Sequence, residues 1–171
     1  AAKKVGCYRK QLKRAQDWDL WLRLSEVGKL SCLKDPLIQL RKHSQQVSLE
    51  RGGIQQLVDG YAATVSHFLR LGGNEDPLAS DPESVANYLR WIESRLKAEG
   101  VVEECRLWNE VRELLVGTGS RLAGMLRAVA RLGGSRMGLS LVRKRFLGTG
   151  LTKRLAREWV EYNKGQTLVK G

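Results

Sequence analysis

Residues 15–24 read Ala15-Gln16-Asp17-Trp18-Asp19-Leu20-Trp21-Leu22-Arg23-Leu24. Asp17, Leu20, Trp21, Leu24 and Val27 fall at i, i+3, i+4, i+7 and i+10, one face of a helical period of about 3.6 residues. A helix is therefore expected over residues 17–27, with Gly28 as its C′ stop. Two positions apart on a helix is about 200° of rotation, so Asp17 and Asp19 cannot serve one site together. The stripe places Asp17 on the inward, apolar face and turns Asp19 outward. Asp17 also falls in the first turn, where unpaired N–H groups and the macrodipole favour an ionised carboxylate. An acidic first turn of this kind is a common helix cap. An ionised, partly buried carboxylate at a cleft edge is equally what a general base requires.

Downstream, two short strands are expected near Lys29–Leu33 and Leu37–Lys42, with a turn at Asp35-Pro36. From Gly53 the pattern is helical. Ile54, Leu57, Val58, Tyr61, Val65 and Phe68 form a stripe that ends at Gly72-Gly73. Asp81-Pro82 supplies an N-cap followed by Pro at N1. Val85, Tyr88, Leu89, Ile92 and Leu96 continue from it to Gly100, and Val101, Cys105, Trp108, Val111 and Leu115 form a third stripe that stops at Gly117. Leu122, Met125, Leu126, Val129 and Leu132 predict a further helix. Leu151, Leu155, Trp159 and Tyr162 share a face opposite Lys153, Arg154 and Arg157. The fold class expected is mostly α with a small β portion, in three parts: residues 1–50, a helical extension over 51–116, and a basic amphipathic tail over 117–171.

Composition narrows the classes. Cys7, Cys32 and Cys105 are odd in number, widely spaced and without a CxxC, which argues against a disulfide framework and a zinc site and favours a reducing compartment. No apolar run approaches the roughly 20 residues of a membrane span. The net charge of +12 is unevenly placed. Residues 1–110 hold 17 Lys/Arg and 15 Asp/Glu, whereas residues 111–171 hold 13 and 3. The excess belongs to the tail and points to an anionic surface as partner.

Gly6-Cys7-Tyr8-Arg9, then Gln16-Asp17-Trp18-Asp19-Leu20-Trp21-Leu22-Arg23, then Pro36-Leu37-Ile38-Gln39-Leu40-Arg41-Lys42-His43 with Gln46 and Ser48, stand in a recurring order. Over residues 5–48 this order resembles the end of the catalytic domain of family 2 glycosyltransferases, which have the GT-A α/β fold. Gln16 stands where the family carries Glu, and Leu40 where it carries Tyr. The resemblance implies that Asp17 is the catalytic base of an inverting transfer from a nucleotide-sugar to a glycan or lipid-linked acceptor. It implies a divalent metal, Mg or Mn, with His43 contributing to the metal–diphosphate site. Trp18 and Trp21 would shape the acceptor wall, and Arg23 and Arg41 would support carboxylate or phosphate. His67 is assigned a structural role.

The family's donor-binding half, with its Asp-x-Asp motif, has no counterpart before residue 17. The chain also opens Ala1-Ala2-Lys3-Lys4 without an initiator Met. A fragment is therefore expected, inactive alone, with exposed strand edges that destabilise it or make it associate. The tail suits a negatively charged membrane surface, with Leu side chains, Phe146 and Trp159 entering the interface, which implies a cytoplasmic protein peripheral to the membrane. Packing of the tail into a small bundle is the plainer alternative. Nucleic acid is disfavoured, because stacking aromatics are sparse and no recognition motif is present. The rival to an enzyme is a non-catalytic helical module that binds an anionic membrane or a partner protein.

Overall fold

Ile54–Leu71 forms the helix around which the others are arranged, labelled α2 after the earlier α1 (Gln16–Val27). The computed structural model describes residues 1–39, 53–116 and 150–169, with positions 127 and 130, and gives the backbone alone for 111–116 and 167–169. Three further helices follow: α3 (Pro82–Ala98), α4 (Val101–Val116) and α5 (Gly150–Val169). Short 3-10 turns occupy Ala2–Val5 and Pro77–Ala79. Among the described residues the fold is all-α, with no strand.

α2 packs against α1, α3, α4 and α5. Its contact face repeats at Val58, Ala62, Val65 and Leu69, all buried, the helical spacing expected of a core-facing stripe. The small side chain of Ala62 leaves room for Tyr88 of α3, which is fully buried. Tyr88 Oη donates to the Ala62 carbonyl at 3.0 Å and lies 3.3 Å from Ser66 Oγ. Burial pushes this phenol well above its ordinary pKa, outweighing the Ser66 hydrogen bond. α3 starts as expected: the Asp81 carboxylate accepts from the N–H groups of Glu83 and Ser84, both at 3.0 Å, with Pro82 behind it. Gly100, at φ +71°, turns the chain from α3 into α4 through a left-handed position that suits glycine.

α5 closes the core. Leu155 and Trp159 are buried, and Trp159 meets Tyr88 and Trp91 edge-on at 4.7 and 5.1 Å. Trp159, only 7% exposed and surrounded by Tyr88, Trp91 and Tyr162, therefore belongs to the interior and not to a lipid interface. Leu12 from the first stretch, the α2 and α3 residues, and α5 share one buried cluster.

Two expectations are corrected. Residues 29–33 and 37–39 form no strand; Leu30, Leu33, Leu37 and Ile38 are exposed. The segment is Leu-rich and carries few of the β-branched residues that favour a pleated surface, and no described ladder satisfies its backbone. Positions 40–42 lie outside the described residues. In α4 the buried residues are Val101, Val102 and Leu107, while Trp108 is exposed; the apolar stripe is turned by about one residue, roughly 100°. Of the predicted helix over 122–132 only positions 127 and 130 are described, both helical and exposed, and Phe146 lies outside the described residues.

Candidate functional site

α1 starts without a side-chain cap. Ala15 takes the N-cap position at φ 51°, a left-handed conformation unusual for a residue with a Cβ. Gln16 fixes this turn by donating from Nε2 to the Leu12 carbonyl at 2.6 Å and to the Arg9 carbonyl at 3.4 Å. From the other side, Asp59 of α2 accepts from the Arg14 N–H at 2.7 Å and from Gln55 at 2.7 Å. Burial pushes the Asp59 carboxyl upward, against these hydrogen bonds, which favour its charge.

Asp17 and Asp19 point apart, as helical geometry requires, but with their sides exchanged. Asp19 is fully buried and Asp17 is exposed. The cause is pairing. Asp19 Oδ2 accepts from Arg23 Nη2 at 2.6 Å and Nε at 3.0 Å, a two-pronged contact one turn along the helix. Arg23, itself buried, also donates from Nη2 to the Cys7 carbonyl at 2.7 Å and from Nη1 to the Val5 carbonyl. It thus ties the first 3-10 turn to α1. Arg9 Nη1 lies 3.7 Å from Asp19 Oδ1, a charge contact without a hydrogen bond. A paired, hydrogen-bonded charge can be buried where an unpaired one cannot. Here the pair faces inward and the tryptophans face out.

The pair belongs to a longer chain of charges. Arg9 Nη2 reaches Asp76 at 2.5 Å, Arg70 joins Asp76 at 2.7 Å, and Arg70 Nη2 meets Glu26 at 2.7 Å. His67 Nδ1 lies 2.6 Å from the same Glu26 oxygen. Burial would raise the Asp76 carboxyl, but the hydrogen bonds and charges of Arg9 and Arg70 hold it below the usual carboxylate range. Glu26 is lowered likewise, Arg70 and His67 outweighing desolvation. His67 thus links α2 to α1 by a side-chain contact with Glu26. Among these contacts only Asp19–Arg23, acid before base at i, i+4, is a spacing visible in sequence. Asp76, Arg70 and Glu26 carry no local signal.

What remains exposed is a surface of different chemistry. Asp17 Oδ1 accepts from the Trp18 N–H at 2.9 Å, within the first turn. Trp18 and Trp21 are each about half exposed, at 47% and 49%. Their rings meet edge-to-face at 6.4 Å, and Trp18 Nε1 donates to Thr64 Oγ1 of α2 at 3.0 Å. A carboxylate thus stands beside two oriented aromatic faces on a helix whose other side is locked. Arg23 stands behind this surface as part of the lock. Arg41 and His43 lie outside the described residues. Among the described residues no group of three His, Cys, Asp or Glu side chains could hold a metal ion, and no helix is long and apolar enough to cross a membrane. No protein-family model, no curated protein and no solved structure matches this chain.

Proposed function

We propose that this chain carries the acceptor side of a family 2 glycosyltransferase, as the C-terminal part of a GT-A domain continued by helices. The observation that supports the reading most is the placement of Asp17, exposed and not partly buried as expected of a base, in the first turn of α1 beside the half-exposed Trp18 and Trp21. A sugar has an apolar C–H face and a polar hydroxyl rim. Stacking that face on a tryptophan leaves the hydroxyls free to meet a neighbouring acid. Asp17 would accept the proton of the attacking hydroxyl as its oxygen forms the new bond to the sugar's anomeric carbon. The bond from that carbon to the diphosphate breaks in the same displacement, and the configuration inverts. The metal implied by the family finds no ligand set among the described residues. The work assigned to these residues is therefore proton acceptance and acceptor seating.

The test is Asp17→Asn in a protein that joins this chain to a donor-binding half. Transfer should fall by roughly 10²–10⁴-fold, the span of general-base contributions, while nucleotide-sugar binding persists. Undiminished turnover would remove Asp17 as the base. The rival reading, a helical module for an anionic surface, is supported by Lys153, Arg157 and Lys164 at i, i+4 and i+11 on exposed α5 positions.

A further inference from the structure

A groove of about 430 Å³ runs between the end of α2 and α5. Its floor is apolar: Phe68 and Leu69 from α2, Ala156 and Val160 from α5. Its rim carries two cations one helical turn apart, Lys153 and Arg157. The volume lies within the roughly 300–1,000 Å³ of small-ligand pockets.

Both cations are exposed on α5. Among the described residues neither forms an ion pair, whereas the adjacent Arg154 pairs with Glu99 at 2.6 Å and with Glu158 at 3.4 Å. Lys153 Nζ sits 5.4 Å from the centre of the Phe68 ring, a cation–π contact that holds it over the groove wall. Nor are the cations needed to cap α2. The carbonyls of its last turn already accept backbone N–H groups: Phe68 and Leu69 from Gly72 at 3.1 Å, Arg70 from Gly73 at 3.0 Å, and Leu69 from Asn74 at 2.9 Å. An apolar trough edged by two unneutralised cations is complementary to a molecule with an acyl chain and a phosphate.

We propose that the α2–α5 groove binds an anionic amphiphile, with the phosphate held between Lys153 and Arg157 and the acyl carbons laid along Phe68, Leu69 and Val160. The site stands independently of sugar transfer at Asp17, since it uses none of the same residues. Bidentate guanidinium contact suits a phosphate, and a lysine adds a point charge.

The test titrates the full chain with monomeric dihexanoyl phosphatidic acid and follows backbone amide shifts by NMR. Saturable shifts are expected at Gly72, Asn74 and Ala156. Dihexanoyl phosphatidylcholine, with the same chains but no net charge, and inorganic phosphate, with the charge but no chains, should each bind about tenfold or more weakly. K153Q and R157Q, made singly and together, should weaken binding by about tenfold or more while leaving the melting temperature unchanged, because both side chains are exposed. K29Q, which removes an exposed charge elsewhere, should have no effect. Equal binding of phosphatidylcholine would reduce the site to an apolar groove and overturn the proposal. Equal binding of inorganic phosphate would make it an anion site and do the same. So would binding that survives K153Q/R157Q in a folded variant, or the absence of shifts in the groove.

Discussion

Arg23 satisfies three acceptors from three places in the chain: the Asp19 carboxylate, the Val5 carbonyl and the Cys7 carbonyl. Lysine could not replace it, since one ammonium lacks the planar fork that reaches all three. Asp19→Asn should therefore destabilise the fold by about 3–5 kcal/mol, the cost of leaving a buried charge unpaired. Urea unfolding would read this as a lower midpoint with little change in slope. A loss under about 1 kcal/mol would mean that Arg23 finds compensation elsewhere. Two residues away, Asp17 accepts a local hydrogen bond from the Trp18 N–H and faces solvent. Its replacement by Asn should leave stability within about 0.5 kcal/mol, so any loss of transfer in that variant would reflect chemistry. The spacing of Asp17 and Asp19 determined that they diverge. It could not determine which one faces inward, because that depends on Arg9, Val5 and Cys7, which are brought close only by folding.

At the level of elements, α5 is joined to the rest by aromatic packing. Trp159 stacks on Tyr162 at 5.5 Å and meets Tyr88 and Trp91 edge-on. Trp159→Ala should cost about 3–5 kcal/mol, the range for emptying a large aromatic site. Loss of near-UV circular dichroism at a lower temperature would check it. The Leu151–Leu155–Trp159 spacing was legible because helical periodicity alone reports a shared face. The start of α3 was legible for a stronger reason, since Asp81 followed by Pro82 describes the cap itself. α4 was misread in detail: Leu107 and Trp108 are adjacent and both apolar, and neighbouring helices decide which is buried. The expected strands failed because a strand requires a partner, and a run such as Lys29-Leu30-Ser31-Cys32-Leu33 says nothing about one.

Across the whole molecule, the charge chain from Arg9 through Asp76 and Arg70 to Glu26 and His67 joins the N-terminal turn, α1 and α2. Glu26 and Asp76 have folded pKa values below their ordinary ones. Their contribution is present above the unfolded pKa, about 4, and is lost as pH falls through the folded values. Asp59 is raised and acts in the opposite sense: its contribution is complete below about 4 and is lost as pH rises through its folded value. With Glu26, Asp76 and the helix-cap Asp81 lowered and Asp59 raised, urea midpoints measured across a pH series should decline below about pH 4. Asp76→Asn should make that decline shallower. An unchanged slope would place the acid sensitivity outside this chain of charges. None of this was readable beforehand, because Arg9 and Asp76 are 67 positions apart.

The segment after α1 leaves Leu33, Leu37 and Ile38 more than 70% exposed on a chain of net charge +12. Mutual repulsion between copies is then the force that opposes contact between these patches. Dissolved salt shortens the reach of that repulsion, to about 8 Å at physiological ionic strength, without weakening the attraction of the apolar surface. The colloidal behaviour of the chain is thereby coupled to ionic strength, with self-association favoured as salt is added.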